Sequence, residues 1–423
     1  MTHSRTPLVI VTGLDARASG RVARDLLARS GTVLVHHDVS GLGEGVVLRT
    51  VVRHTRDGLL EERTAVELAH GCLSCTLRLD LLPLLHELGG GPDVHRIALQ
   101  LDPALEPEQL CWSIDHVVLE GVASDPEGTA ADRVEVAGVV AVVDARTWLE
   151  DVTGGDELAD RGLAATPDDD RTLAQVGVGQ VAFADAVLVA GGPLDAWSAA
   201  RLDAVLDRLV SGVPRADVAV GAERVLAALG PGARRGRLSS VHDPLLPGSP
   251  PLGEDVGVCI IRFAAPRPFH PERLHEALDV LLEGIVVSRG RVWLASQNDR
   301  ALWMESAGQG LRMGDAGRWL ATLGDDDPGW ADVPPEHQVA AALRWDPVHG
   351  DRHTEVAVLS HRQPGVAVIA ALDAALLTDD ELAAGPDAWR AYPDPFGSWH
   401  EEPCEATPAP DDRASTTDRE DRA

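Results

Sequence analysis

The chain is predicted to be α/β, with a doubly wound, mostly parallel sheet followed by a smaller α+β domain, and three features predict it. Near-continuous apolar runs recur through the first half, at 8–12, 32–35, 96–101, 139–143 and 186–190. Runs without polar alternation are strands buried on both faces, the condition of a parallel sheet covered by helices. Between them lie amphipathic stretches at helical spacing, one beginning near Val22 and one running over 77–88. Finally, the Pro/Gly-rich segment from His242 to Gly253 sustains neither a helix nor a central strand, so it separates two folding units.

Taken in order, the first strand (8–12) ends in Gly13 and turns into a helix. The second ends in His36-His37-Asp38. A cysteine-bearing helix leads to the strand at 96–101, then to 139–143 closed by Asp144, then to 186–190, with helices expected over 195–210 and 222–229. Ligands of such a sheet gather at the carboxyl ends of its strands. The expected division is 1–240, a linker 241–256, a second domain 257–377, and a tail 378–423, polar and disordered after residue 400. In the second domain, strands are expected over 256–263, 285–295, 301–306, 310–313 and 355–359, and helices over 272–282 and 334–342.

Composition excludes several functions. The 423 residues carry 37 basic against 67 acidic side chains, a net charge of -30, which argues against direct DNA binding through clustered positive charge. No apolar run approaches the length of a membrane span, and no basic region precedes an apolar one at the start, so a cytoplasmic protein is expected. Five cysteines (72, 75, 111, 259 and 404) are too sparse for a disulfide scaffold. There is no lysine and a single asparagine, Asn298, so chemistry that needs a lysine ammonium is closed to this chain.

The stretch His70-Gly-Cys72-Leu-Ser74-Cys75-Thr76 carries the most chemistry. Two thiols three residues apart at a helix start supply half of a tetrahedral zinc site, and the helix N-terminus favours the thiolate. By itself the pair is equally compatible with thiol redox chemistry or simple packing.

The order of motifs resembles the CobW-like family of P-loop GTPases, proteins of cobalt, nickel and zinc handling. The resemblance rests on a strand ending in Thr12-Gly13, the Gly-Cys-x-x-Cys-Thr turn, Pro103-Ala-Leu-Glu-Pro107, and Val142-Val-Asp-Ala145. In the second half it rests on Ser288-Arg-Gly-Arg-Val-Trp-Leu-Ala295 and on Trp345 to Arg352, similar to the CobW C-terminal domain. The resemblance covers most of the chain. It implies a P-loop-type fold, a role in metal handling and, where the motifs are intact, GTP hydrolysis.

The nucleotide motifs are not intact. Where Gly-x-x-Gly-x-Gly-Lys-Thr-Thr belongs, the chain reads Gly13-Leu-Asp-Ala-Arg-Ala-Ser-Gly-Arg21, with Ser19 in the place of the phosphate-binding lysine and Gly20 in the place of the magnesium hydroxyl. Asp15 adds a negative charge where triphosphate would lie. The guanine motif is replaced by Ala190-Gly-Gly-Pro193, and the family's glutamate falls on Gln100, or in a rival placement on Glu120. Gly13 and Asp144 are the remnant of the nucleotide site. GTP binding is therefore not expected.

The cysteine motif has lost its middle thiol to Ser74, so two zinc ligands must come from elsewhere. The family's Asn-Glu pair after the second strand reads His37-Asp38 here, and these are the expected partners of Cys72 and Cys75. His36 and His70 are weaker candidates. Zinc is thus the expected metal, and the chain is read as a pseudo-GTPase adaptor of zinc homeostasis or low-zinc response that recruits a protein partner. The resemblance, to actinobacterial members in particular, implies a ribosome-associated hibernation factor as that partner. The alternatives are a GTP-hydrolysing zinc metallochaperone with a rebuilt P-loop, and a thiol redox protein.

Four further features are read as structural. The acidic insert 150–171 is expected as a solvated loop with short helical pieces, and Arg234-Arg-Gly-Arg237 as a solubilising turn rather than an RNA contact. Five of the ten tryptophans fall in the second domain, where a core role is expected. His349 and His353 are expected in solvent, with a second metal as the alternative.

Overall fold

The computed structural model describes residues 5–68, 73–119, 128–192, 194–240, 243–246, 248–324 and 326–397. Among them, eight strands form the first sheet: β1 (Thr6–Thr12), β2 (Thr32–Asp38), β3 (Val46–Thr55), β4 (Gly58–Glu67), β5 (Arg96–Gln100), β6 (Val134–Asp144), β7 (Ala186–Ala190) and β8 (Arg215–Asp217). Their order is β4-β3-β2-β5-β1-β6-β7-β8, with every pairing parallel except β2–β3 and β3–β4, which are antiparallel. The α/β expectation holds.

Strand periodicity sorts the core into two layers. Leu8, Ile10, Val33, Val35, Ile97 and Leu99 face one side. There they meet α2, a continuous helix over 73–89, α3 (Pro107–His116) and α4 (Leu173–Ala182) through Leu81, Leu82, Leu85, Leu110 and Val176. The alternate residues Val9, Val11, Leu34 and Val140 face α1 (Ala16–Asp25) and its neighbours Ala18, Val22 and Leu26. After β7 the chain continues through α5 (Ala196–Leu209) to β8.

Two features depart from expectation. α1 begins at Ala16, not near Val22, because Asp15 caps it. The β3–β4 hairpin was not anticipated: nine of the ten β4 residues are exposed and only Val66 is half-buried, so no apolar alternation marks the strand. Its Glu61, Glu62 and Arg63 instead form the charged edge that keeps an unpaired strand from aggregating.

The second sheet is wholly antiparallel, in the order β12-β11-β10-β13-β9, from β9 (Cys259–Ala265), β10 (Ile285–Trp293), β11 (Arg300–Ala307), β12 (Gly310–Arg318) and β13 (Thr354–Ser360). α6 (Pro271–Leu282) packs on one face together with a helix over Gly365–Ala375. The two sheets meet through a shared apolar cluster. Ala174 and Val178 of α4 and Leu202 of α5 join Val286, Val287, Ala307 and Leu359 of the second sheet. Trp293, Trp319 and Trp389 are buried together with Trp303 against them, as the core reading expects, whereas Trp345 is exposed.

The acidic insert is less solvated than expected. Arg171 donates to Asp169, to Glu106 and to the Ala104 carbonyl oxygen, so Arg171, held by Asp169, ties the insert to the segment just before α3. Arg234 lies 4.9 Å over the Phe183 ring and donates to Ser239, and the Arg235 amide donates to Asp185. That basic turn is structural.

Candidate metal centre

The carboxyl edge of the parallel strands collects Gly13, His37, Asp38, Gln100 and Asp144. β4 delivers the chain to the same edge, where Glu67 pairs with Val46 and the Leu68 amide donates to Gly45 at 2.9 Å. From Leu73 the backbone is helical, through an α turn (Leu73–Thr76), a π turn (Leu77–Leu81) and a further α segment (Leu82–Gly89). His70, Gly71, Cys72 and the Cys75 side chain lie outside the described residues, as does Glu120.

His37 faces α2. It is 2% exposed, and its Nε2 lies 2.6 Å from Oδ2 of Asp80, which sits in the π turn. The other oxygen of Asp80 accepts from Arg49 of β3 at 2.7 Å. Because a carboxylate in this bridge only accepts, His37 Nε2 carries the proton. Its Nδ1 is buried and has no hydrogen-bond partner among the described residues. An imidazole whose one nitrogen is held by a carboxylate while the other is left open is the arrangement of a zinc-bound histidine, so this side chain fits the metal the cysteines suggest. Among the described residues no group of three or more His, Cys, Asp or Glu converges as a metal set, and the cysteine thiols are not among those residues.

Asp38 points the other way, as successive strand residues do. Its Oδ1 accepts the Ser40 amide at 2.9 Å. Burial would raise its pKa, but the Ser40 hydrogen bonds and nearby His36 outweigh that and hold it below the ordinary carboxylate range. His36 engages the Gln100 carbonyl oxygen at 3.1 Å through Nδ1. The structure thus brings His37 to the helix that carries Cys75 and leaves Asp38 at the end of β2, bonded into the turn that follows. Sequence reasoning missed Asp80 and Arg49. The available signal was an acid within the apolar run of α2, between Leu79 and Leu81.

At the phosphate-loop position only Gly13, Leu14 and Asp15 separate β1 from α1. Gly13 has φ +154°, and a side chain there would collide with the Val142 carbonyl oxygen. Asp15 Oδ1 accepts the Arg17 and Ala18 amides at 2.8 and 3.0 Å, so the N–H groups that would cradle phosphate are already taken. Ser19 is buried and donates to Ala16 O, while Gly20 packs on the side chain of Gln100. Asp144 accepts the Arg146 amide at 2.8 Å, and the Arg146 side chain donates to Gly191 O at 2.6 Å. The cavity here measures 190 Å³ and is lined by Leu14, Asp15, Asp144, Trp148, Asp151 and Arg161. It is smaller than the ~300 Å³ at which pockets for drug-sized ligands begin, and its charge is mainly negative.

The second domain holds a larger groove of 1190 Å³. Its cations are internally compensated, with Arg291 and Arg344 both donating to Glu355. His353 engages the Asp351 carbonyl oxygen through Nδ1 at 2.7 Å and Arg344 through Nε2 at 2.8 Å, against the Trp319 ring. Both of its nitrogens are occupied, which leaves none for a second metal and corrects the expectation that it stands in solvent.

A mostly parallel nucleotide-binding-type sheet joined to an antiparallel sheet defines the class. The chain belongs to the CobW family. Residues 45–217 match the CobW/HypB/UreG nucleotide-binding domain, and residues 258–376 match the cobalamin synthesis protein cobW C-terminal domain. The first match begins beyond the phosphate-loop position. The chain is 44% identical over 404 residues to the zinc chaperone Rv0106 of Mycobacterium tuberculosis, covering 96% of each. It is 26% identical over 364 residues to the zinc-regulated GTPase metalloprotein activator 1 of Dictyostelium discoideum, covering 83% of this chain and 74% of that protein. The Zn(II)-bound YjiA GTPase from E. coli aligns over 89% of this chain and 100% of its own at 14% identity, with a TM-score of 0.36. Among the described residues no helix is long and apolar enough to cross a membrane.

Proposed function

We propose that this member of the CobW family is a zinc-responsive adaptor that works without nucleotide hydrolysis. Zinc is held by Cys72 and Cys75 together with His37, while Asp38, the fourth ligand expected from the sequence, points away from His37 and leaves that position open. The metal orders the turn ahead of α2, and that surface is what a protein partner reads. A ribosome-associated hibernation factor is the partner implied by the resemblance to actinobacterial members.

The observation that carries this reading is the Asp15 cap. In a working phosphate loop the first amides of the helix bind phosphate, whereas here a carboxylate of the chain itself satisfies them. The zinc-related names of the relatives support the metal, and the acidic 190 Å³ cavity argues against a nucleoside triphosphate.

Two measurements test it. Calorimetry with GTP and Mg²⁺ is expected to give no heat of binding, and a micromolar Kd would sink the pseudo-GTPase reading. Metal analysis of protein purified without chelator is expected to find zinc that is lost in Cys72→Ser and Cys75→Ser. Because thiols must release protons to bind, apparent zinc affinity is expected to fall as pH drops below about 7.

A further inference from the structure

We infer that Asp80 is the positioning residue of the zinc centre, fixing His37 in the tautomer that presents Nδ1, not Nε2, to the metal. The inference rests on the zinc reading above and adds the atom that binds and the group that aims it.

The geometry is a three-part relay. Arg49 Nη1 donates to Asp80 Oδ1 at 2.7 Å, and Asp80 Oδ2 lies 2.6 Å from His37 Nε2. The guanidinium has only protons to give, so both carboxylate oxygens are acceptors and the Nε2 proton is pinned. A neutral imidazole has one proton, which leaves Nδ1 with a lone pair. That atom is buried on a side chain 2% exposed and has no hydrogen-bond partner among the described residues. An unpaired buried acceptor is costly, and a cation supplied from the cysteine turn would compensate it. Asp80 stands in the π turn immediately after the α turn that carries Cys75. One helix therefore includes Cys75 in its backbone and the group that orients the imidazole. π turns inside α-helices recur where a side chain has to be re-aimed at a site.

Asp80→Asn tests this by reversing the proton. The amide oxygen would accept from Arg49, and the amide NH₂ would donate to His37 Nε2, moving the ring proton to Nδ1 and closing the lone pair to metal. Two readouts are taken on the full chain. One is zinc affinity by competition with a chromophoric chelator, and the other is the His37 tautomer in zinc-free protein by ¹⁵N NMR of the imidazole.

The expected result is an Nε2–H tautomer in the wild type, an Nδ1–H tautomer in Asp80→Asn, and zinc affinity weaker by about 10- to 100-fold. Wild-type affinity in Asp80→Asn, or weaker affinity with an unchanged tautomer, would overturn the inference. An Nδ1–H tautomer in the zinc-free wild type would overturn it without any variant, which covers the case in which Asp80→Asn does not fold. The underlying zinc reading fails separately, if Cys72→Ser and Cys75→Ser keep full zinc stoichiometry.

Discussion

Asp15 shows how one side chain can decide the use of a helix end. Its carboxylate satisfies two amides at the start of α1, and such a cap contributes about 1 kcal/mol. Asp15→Ala is expected to lower unfolding free energy by about that amount in urea titration and to leave GTP binding absent. Removing a cap does not restore the missing lysine. The thiols of Cys111 and Cys259 make the opposite point. Burial, with acidic neighbours Asp115, Asp185 and Glu108, pushes Cys111 up to about 12, and burial with Glu254 raises Cys259. Zinc needs the thiolate, so Cys111→Ser and Cys259→Ser are expected to keep full zinc stoichiometry by metal analysis.

At the scale of the element, α2 matters most because it ties the cysteine turn to the core. Leu81, Leu82 and Leu85 are fully buried against β2 and β5, which fixes the rotation of the helix and hence the direction of Asp80. Leu82→Ala removes buried methylene and methyl groups from a packed layer. It is expected to cost about 2–5 kcal/mol in chemical denaturation and to weaken zinc binding as well, since a helix free to rotate no longer holds His37 in place. The charged β3–β4 hairpin has a second use beyond edge protection: it brings Arg49 alongside His37, its partner in the β2–β3 register.

For the whole molecule the decisive feature is the apolar contact between the two sheets, reinforced by the Gln309 amide donating to Gly154 O and by Arg201 donating to His361 O. Burial, together with Arg201 and Arg362, pushes the pKa of His361 down to about 4 from the ordinary 6.5. The folded state therefore favours the neutral ring. Its contribution to stability is complete above pH 6.5 and is lost as pH falls from there through about 4, by at most about 1.4 kcal/mol per pH unit. Thermal melts between pH 7 and pH 4 are expected to show Tm falling in the wild type and falling less steeply in His361→Gln. Equal slopes would remove His361 from the account.

Apolar runs and their spacing were enough to identify the parallel strands and the α/β class, because both faces of a covered sheet must be apolar whatever lies above it, whereas the family was legible only through the resemblance of its short motifs. The lost lysine, the lost guanine motif and the paired cysteines were legible for the same reason: they are identities at fixed spacings along one strand or turn. The hairpin at β3–β4 was not, since exposed edge strands carry no such pattern. Nor was the relay from Arg49 through Asp80 to His37. Its three members come from a hairpin, a helix and a strand, 31 and 43 residues from Asp80, and only packing brings them within hydrogen-bond distance. Sequence named the residue types that can bind zinc. Which nitrogen of His37 is open, and that Asp38 turns away from it, was decided by the alternation of a strand against a helix that only the folded chain contains.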